Sequence, residues 1–176
     1  MVRAEVAERF MSAPLLADVD PGSRRAVLEA LQEVRTAAGS VLIEQGQPND
    51  HLTFLISGSA TVERKHPDGR VDKIVTMNAP SVFGVTSFFR PNPPTYTVRA
   101  ITEVWLLTLS HRAHDRLRLE TPKAAEALAV AALRVLTERF DELDRLFSKY
   151  MAEHPHDDRK VSELAGFRAR LFEEAQ

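Results

Sequence analysis

Imidazole and carboxylate side chains are the groups in this sequence that could do chemistry, and they concentrate in two places. Residues 154–158 read His-Pro-His-Asp-Asp, which places nitrogen and oxygen metal ligands within five positions. His111 and His114 form a second pair, three residues apart at a predicted helix start. Neither group has an obvious further metal ligand elsewhere in the sequence. In the first group, Pro155 also restricts the backbone of residues 154–158. The sequence therefore favours a solvated linker over a metal clip, and we predict no metal site.

Catalytic motifs are absent from the sequence. There is no Cys, which excludes disulfides, thiolate metal sites and cysteine nucleophiles. The chain contains no nucleophile motif, no Walker loop, no His-Glu-x-x-His and no dinucleotide-binding fingerprint. We therefore expect a protein that is not an enzyme and that has no catalytic residues.

The elements that position these residues belong to one globular domain with an appended element, as 176 residues with 44% apolar side chains indicate. The formal net charge is −2, from 23 basic and 25 acidic residues, which gives no general attraction to nucleic acid. Charges interrupt every apolar run near the N-terminus, and no run approaches about 18 apolar residues. We expect a cytoplasmic protein with no signal sequence and no contact with membranes.

Hydrophobic periodicity divides the chain into helical and strand-rich parts. Residues 1 to about 36 are predicted to form N-terminal helices, with Asp20 and Pro21 as a cap and first turn. Residues 37–110 hold short runs of β-branched and aromatic residues separated by turn residues, and His66–Arg70 predicts a hairpin turn. Residues 81–95 do not fit a strand. The predicted strands are Val41 to Ile43, Leu52 to Val62, Val71 to Met77, Tyr96 to Ile101 and Val104 to Leu109.

Residues 111–150 are predicted to form a hinge and a long helix, which runs from Pro122 to about Tyr150. Its apolar residues alternate steps of four and three, the spacing of a coiled-coil seam. The alternative is one amphipathic helix packed on its own domain. Residues 151–176 are predicted to form a short helical tail. The predicted dimer seam consists of Ala129, Leu133, Leu136, Phe140, Leu143, Phe147 and Tyr150.

The stretch GSVLIEQGQPNDHLTFLISGSATV resembles the first half of the cyclic-nucleotide-binding domain, the family of catabolite activator protein-like effector domains. The resemblance spans roughly residues 13–150 and implies a mainly β fold with flanking helices. This fold is an antiparallel β-roll, or jelly-roll, followed by a long C-terminal dimerisation helix. The residues that carry the match are Gly39, Gly46, Asp50, Phe54 and Gly58.

The resemblance continues through residues 77–84, where the family enters its phosphate-binding cassette, and residues 97–100, where it leaves. In the family, a short helix after Phe-Gly points backbone N–H groups at the cyclic phosphate. An Arg near the end of the cassette pairs with the phosphate, and a Glu directly after the Gly accepts from the ribose 2′-hydroxyl. Here Val85 follows Gly84, and Pro94 stands at the Arg position. Each lost interaction is worth about 1.5–3 kcal/mol, so the resemblance implies a degenerate cassette.

Other residues could replace the missing charges. Arg90 and Arg99 could reach an anion, although a solvated loop for Arg90 and a strand-supporting role for Arg99 are the simpler interpretations. The family's base-capping position falls near Arg139, whose ordinary role is to flank the seam. Phe88 and Phe89 fit either the core or a contact surface. The predicted ligand pocket is Phe83, Gly84, Val85, Thr86, Ser87, Arg90, Pro94, Thr95, Tyr96, Arg99 and Arg139.

The function predicted from these features is a non-enzymatic signalling, regulatory or scaffold module that has lost conventional cyclic-nucleotide binding. It is expected to act as a homodimer with a protein partner and without a cofactor. The alternative is a sensor of cyclic AMP, cyclic GMP or another small anion that uses a non-standard cassette. A DNA-binding regulator is disfavoured, because the 26 residues after Tyr150 carry four basic and six acidic side chains, too few and too acidic for a DNA-reading domain.

Overall fold

The computed structural model describes residues 2–90, 92–153 and 166. The chain divides into two compact units, Met1–Arg134 and Val135–Gln176, and the boundary lies within the last helix. The predicted tail at 151–176 lies outside the described residues, except for 151–153 and 166. The helices are α1 (Ala4–Met11), a 3-10 turn (Pro14–Leu16), α2 (Pro21–Ala30), α3 (Val85–Phe89), α4 (His111–Glu120) and α5 (Pro122–Glu153). The strands are β1 (Gln32–Thr36), β2 (Val41–Ile43), β3 (His51–Ser57), β4 (Ser59–Lys65), β5 (Val71–Asn78), β6 (Ser81–Phe83), β7 (Thr97–Ala100) and β8 (Val104–Ser110).

The start of α2 has the cap that the sequence predicts. The Asp20 carboxylate accepts hydrogen bonds from the Ser23 backbone N–H at 3.0 Å and from the Ser23 hydroxyl at 2.8 Å, and Pro21 occupies the first turn. These bonds, together with the nearby Lys123 ammonium, lower the pKa of Asp20 to about 2. The helix therefore begins at a well-defined residue.

Eight strands build the predicted antiparallel β-roll within the described residues. One sheet has the order β1-β8-β3-β6 and the other β2-β7-β4-β5, and every pair is antiparallel. Strand β3 pairs with both β6 and β8 and is buried along most of its length, whereas the edge strand β5 is largely exposed. The packed interior consists of Ile43, Leu55, Ala60, Phe83, Val98, Ala100, Val104 and Leu106. The prediction of a mainly β fold with flanking helices is confirmed.

The predicted hairpin turn is also confirmed. Strands β4 and β5 pair up to Lys65 and Val71, and the His66 N–H donates to the Arg70 carbonyl at 2.8 Å. Gly69 has a φ of 86°, the left-handed conformation that favours glycine at this point of the turn. The predicted run from Leu52 to Val62 is two strands, because Gly58, with φ 88°, turns the chain between β3 and β4.

Two segments correct the sequence predictions. Residues 32–36 form strand β1 on β8, so the prediction of helix up to about residue 36 is wrong for this stretch. Val34 is the single apolar residue in this polar run, and its spacing continues the helical pattern of α2. Pairing with β8 overrides that local signal. Residues 81–83 form the short strand β6, so the exclusion of strand from residues 81–95 is wrong at its start. A three-residue strand is too short to show an alternating pattern.

Helices α4 and α5 follow the roll, as predicted. The buried residues of α5 lie in its first three turns, at Ala124, Ala125, Leu128, Ala131 and Ala132. Among the described residues, no helix is both long enough and apolar enough to cross a membrane.

Candidate functional site

A tight turn at Gly84 forms the entry to the cassette. Gly84 has a φ of 79° and lies between β6 and α3. A Cβ atom at this position would lie 2.7 Å from the His51 carbonyl oxygen and 3.1 Å from Nδ2 of Asn49. Only glycine satisfies both the left-handed backbone and this close approach, so the turn fixes the direction in which α3 leaves the sheet.

A small hydrogen-bond network holds α3 against β3. Nδ2 of Asn49 donates to Oγ of Ser87 at 2.9 Å and to the His51 carbonyl oxygen at 2.8 Å. The Ser87 hydroxyl donates to the Gly84 carbonyl oxygen at 3.2 Å. Sequence reasoning identified Ser87 but missed Asn49, because its partner is 38 residues away and no local pattern marks the pair.

The buried face of α3 consists of apolar residues and Ser87. Val85 is 2% exposed and Phe88 is 3% exposed, while Thr86 is exposed to solvent. Phe83, just before the turn, belongs to the interior of the roll. The interpretation of Phe88 as core therefore holds, whereas Phe89 is 39% exposed. Val85, the residue after Gly84, lies in the hydrophobic core.

The exit from the cassette is an exposed segment without regular structure up to β7. Thr95 and Tyr96 are exposed, and Pro94 is half-buried. The Pro94 carbonyl oxygen accepts a 2.8 Å hydrogen bond from the Gly46 N–H, and the Gln45 N–H donates to Oγ1 of Thr97 at 3.2 Å. These bonds tie the segment to the loop after β2. Pro94 contributes no backbone N–H and no charge to this end of the site.

The two arginines considered as replacements occupy different positions. Arg99 lies on β7, where Nε donates to the Glu63 carboxylate at 3.3 Å and a terminal nitrogen donates to the Gly39 carbonyl oxygen at 3.0 Å. These contacts agree with a strand-supporting role. Arg90 is exposed at the C-terminal end of α3, where its backbone N–H donates to the Thr86 carbonyl oxygen at 2.9 Å. The structure thus brings residues 83–90 together in one turn and one helix. Arg99 lies apart from them on β7, where it is paired with the Glu63 carboxylate.

The remaining predicted residues lie on α5. Arg139 is exposed in the second unit, on the same helix as the predicted seam. Of the seam residues, Leu133 is 63% exposed, Leu143 63% and Phe140 44%. Ala129, Leu136 and Phe147 are half-buried, and Tyr150 is exposed. Within the helix, these residues share one face by their spacing of three and four.

Two of the predicted histidines lie beside the cassette, whereas 154–158 is outside the described residues. His111 and His114, at the start of α4, contact the aromatic rings of α3. In the part of the chain that the structure describes, no three His, Asp or Glu side chains are arranged to hold a metal ion. Sequence reasoning did not connect these histidines with the cassette, because His111 is 23 positions after Phe88.

Comparisons with known proteins agree with this architecture. Residues 33–121 match the family model described as "Cyclic nucleotide-binding domain". A CRP-like cAMP-activated global transcriptional regulator of Mycobacterium tuberculosis is 32% identical over 132 residues, which cover 75% of this chain and 57% of the relative. This chain thus spans little more than half of that relative's length.

Solved structures show the same fold. The N-terminal domain of a transcriptional regulator from Streptomyces coelicolor superposes with a TM-score of 0.65 at 32% identity, covering 76% of this chain and 95% of that domain. A cyclic nucleotide-binding domain from Methylobacillus flagellatus superposes with a TM-score of 0.72 at 24% identity, covering 82% of each chain. At that lower identity the likeness concerns the fold alone.

Proposed function

This chain belongs to the cyclic-nucleotide-binding domain family, and from that premise we propose a regulatory module whose cassette no longer binds cyclic nucleotides in the family's manner. The prediction of a non-enzymatic domain agrees with the class of its relatives, which are named as regulators. The module acts through self-association and through contact with a protein partner, without a cofactor.

The observation that carries this proposal is the position of Val85. This side chain is 2% exposed, so an apolar residue fills the core at the position of the family's ribose-binding glutamate. Pro94 removes the phosphate-binding arginine, and Arg99 is already paired with Glu63. A cyclic phosphate in this cassette would lose its hydration without meeting the family's counter-charge, which costs several kcal/mol.

Self-association is proposed through α5. Leu133, Phe140 and Leu143 are each at least 44% exposed, at positions that repeat along one face of the helix. Charged side chains flank this face, as in parallel helix pairs, at Arg134, Glu138, Arg139, Glu142 and Arg145. A second copy of this helix would cover the apolar residues. We therefore propose a homodimer in which the two α5 helices run parallel.

Thermal unfolding in the presence of cyclic AMP or cyclic GMP tests the loss of binding. A ligand at 100 times its Kd stabilises the folded state by about 2.7 kcal/mol, which raises Tm by roughly 5–10 °C for a domain of this size. We expect no shift with 1 mM of either nucleotide. A shift of this size would mean that the cassette binds with a Kd near about 10 µM, and the proposal would then be wrong.

Light scattering tests the dimer. Phe140→Glu places a carboxylate in the proposed seam, where burial without a partner costs several kcal/mol, and should give a monomer. The matched control is Ser148→Glu, which adds the same group at an exposed position off the seam and should leave the dimer intact. A wild-type monomer, or a dimer that survives Phe140→Glu, would refute the seam.

A second candidate function is a cyclic-nucleotide or small-anion sensor with a non-standard cassette. Two observations support it. The backbone of the cassette entry is present, with Gly84 in the left-handed conformation and α3 after it. The Mycobacterium tuberculosis relative is named as cAMP-activated. If titration detects binding, Arg90→Ala or Thr95→Ala should weaken it. Binding unaffected by either change would remove this candidate.

The proposal also covers where the module is located in the cell and whether it contacts DNA. We place the module in the cytoplasm and assign it no direct contact with DNA, since the net charge is −2. A mobility-shift titration at low salt should be flat. Salt-dependent retardation of a DNA duplex would contradict this part of the proposal.

A further inference from the structure

His111 and His114 pack against the aromatic side chains of α3, the helix that follows Gly84. The His111 ring stacks on the Phe88 ring with centroids 4.5 Å apart and an interplanar angle of 20°. The His114 ring meets Phe88 edge-on at 5.3 Å and Phe89 at 5.8 Å. Two imidazoles of α4 therefore hold both aromatic side chains of α3.

A hydrogen bond reinforces this packing. Nε2 of His111 lies 2.9 Å from the Phe88 carbonyl oxygen. A carbonyl oxygen only accepts, so Nε2 of His111 carries the hydrogen and donates. The His111 backbone N–H in turn donates to the Asp50 carbonyl oxygen at 3.2 Å. His111 thus joins the end of α3, the start of β3 and the start of α4.

His114 is the second imidazole in this contact. His114 is half-buried and lines an open groove together with the two phenylalanines, so water reaches the imidazole. The charged and titratable groups that face it are His111, Asp115 and Arg118 from α4 and Glu126 from α5. Within Val85–Phe89 of α3 there is no titratable side chain. The α3 side of the contact therefore offers no carboxylate to an imidazolium.

We propose that His111 and His114 form a clamp that positions α3, with His114 as its proton-sensitive member, and that acidification loosens the cassette helix without any ligand. This inference does not depend on whether the cassette binds a nucleotide. Protonation puts a charge on a half-buried ring that packs on Phe88 and Phe89 and lies near a guanidinium. Through the clamp, pH would act on the module as a second signal beside any ligand. Contacts made by α3 would then depend on pH.

The direction of the effect follows from linkage. Burial, followed by the Arg118 charge, lowers the pKa of His114 below its ordinary value of 6.5. A histidine with a lowered folded-state pKa stabilises the clamp fully above pH 6.5, and this contribution is lost as pH falls from there toward the folded pKa. The ordinary pKa values of Asp and Glu lie near 4, so measurements above pH 5.5 report on histidine.

Amide hydrogen exchange of the full chain tests the clamp. The Phe88 and Arg90 amides donate within α3, to the Gly84 and Thr86 carbonyl oxygens at 2.9 Å. Their protection factors, corrected for intrinsic exchange, should fall by at least about threefold between pH 7.5 and 5.5. His114→Gln removes the titrating group and should make protection independent of pH over this range. Constant protection in the wild type, or a fall that persists in His114→Gln, would overturn the proposal.

A matched histidine provides the control. Nε2 of His66 pairs with Asp72 at 2.8 Å in the β4–β5 hairpin, away from α3. His66→Gln should leave the pH dependence of the Phe88 amide unchanged. If His114→Gln fails to fold, NMR of the wild type decides the matter, because the Phe88 and Phe89 ring signals must titrate with the midpoint of His114. Ring signals that ignore this midpoint would refute the clamp.

Discussion

The two ends of the cassette differ in how the fold holds them. At the entry, Phe83, Val85 and Phe88 are each at most 3% exposed, and Gly84 is enclosed by His51 and Asn49. At the exit, Thr95 and Tyr96 are exposed, and the Pro94 carbonyl oxygen accepts a hydrogen bond from the Gly46 N–H. The entry is part of the hydrophobic core, and the exit is a surface loop. A change of side chain therefore has a much larger effect on packing at the entry than at the exit.

On the proposed loss of binding, the largest expected effect comes from introducing the glutamate and the arginine that the resemblance places at positions 85 and 94. In the double variant Val85→Glu and Pro94→Arg, each new interaction is worth about 1.5–3 kcal/mol, so cyclic AMP affinity should rise by about a hundredfold or more. Isothermal titration measures the gain. The control combines Val85→Glu with Pro93→Arg, which adds the same charges with the guanidinium one residue away from the family's position. Equal binding by the two variants, or none by either, would contradict the account of the exit.

A second prediction compares two glycines with positive φ. Gly84→Ala should lower the free energy of unfolding by about 3 kcal/mol or more, because left-handed strain adds to the overlap with the His51 carbonyl oxygen. Gly69→Ala, at φ 86° but with nothing within 4 Å of its Cβ, should cost only about 1–2 kcal/mol. Denaturant unfolding measures both values. Equal losses would show that the entry turn is not tightly packed.

The smallest effect tests the network under α3. Ser87→Ala removes the acceptor of one Asn49 hydrogen bond and should cost about 1 kcal/mol of unfolding free energy. Thr86→Ala, on the exposed side of the same helix, should change stability by less than about 0.5 kcal/mol. Urea denaturation of the two variants checks the difference. If Thr86→Ala proved the more damaging change, the assignment of the buried face of α3 would be wrong.

Much of this architecture could be predicted from local patterns and from the resemblance. The hairpin at 66–70, the cap at Asp20 and the helix from Pro122 each depend on residues close together in the sequence. Strand β1 could not be predicted, because Gln32–Thr36 becomes a strand only by pairing with β8, more than 60 residues later. Its local spacing continued the helical pattern of α2.

The candidate site divides in the same way. Gly84, Val85 and Pro94 are identified by the resemblance to the family's cassette motif, which needs only residues that are close together in the sequence. The contacts of Asn49 with Ser87, of Arg99 with Glu63 and of His111 with Phe88 required the fold, because the partners are 38, 36 and 23 positions apart in the sequence. The roles of the pocket residues and of the α5 seam stay predictions until binding and dimerisation are measured.

Isothermal titration of the wild-type protein with cyclic AMP and with cyclic GMP tests the central claim most directly. Mass spectrometry first establishes that no nucleotide has co-purified. With Val85 in the core and Pro94 at the exit, we expect no heat beyond dilution at millimolar ligand. Saturable heat with a Kd in the micromolar range or tighter would contradict the account, because it would mean that other residues have rebuilt the phosphate site.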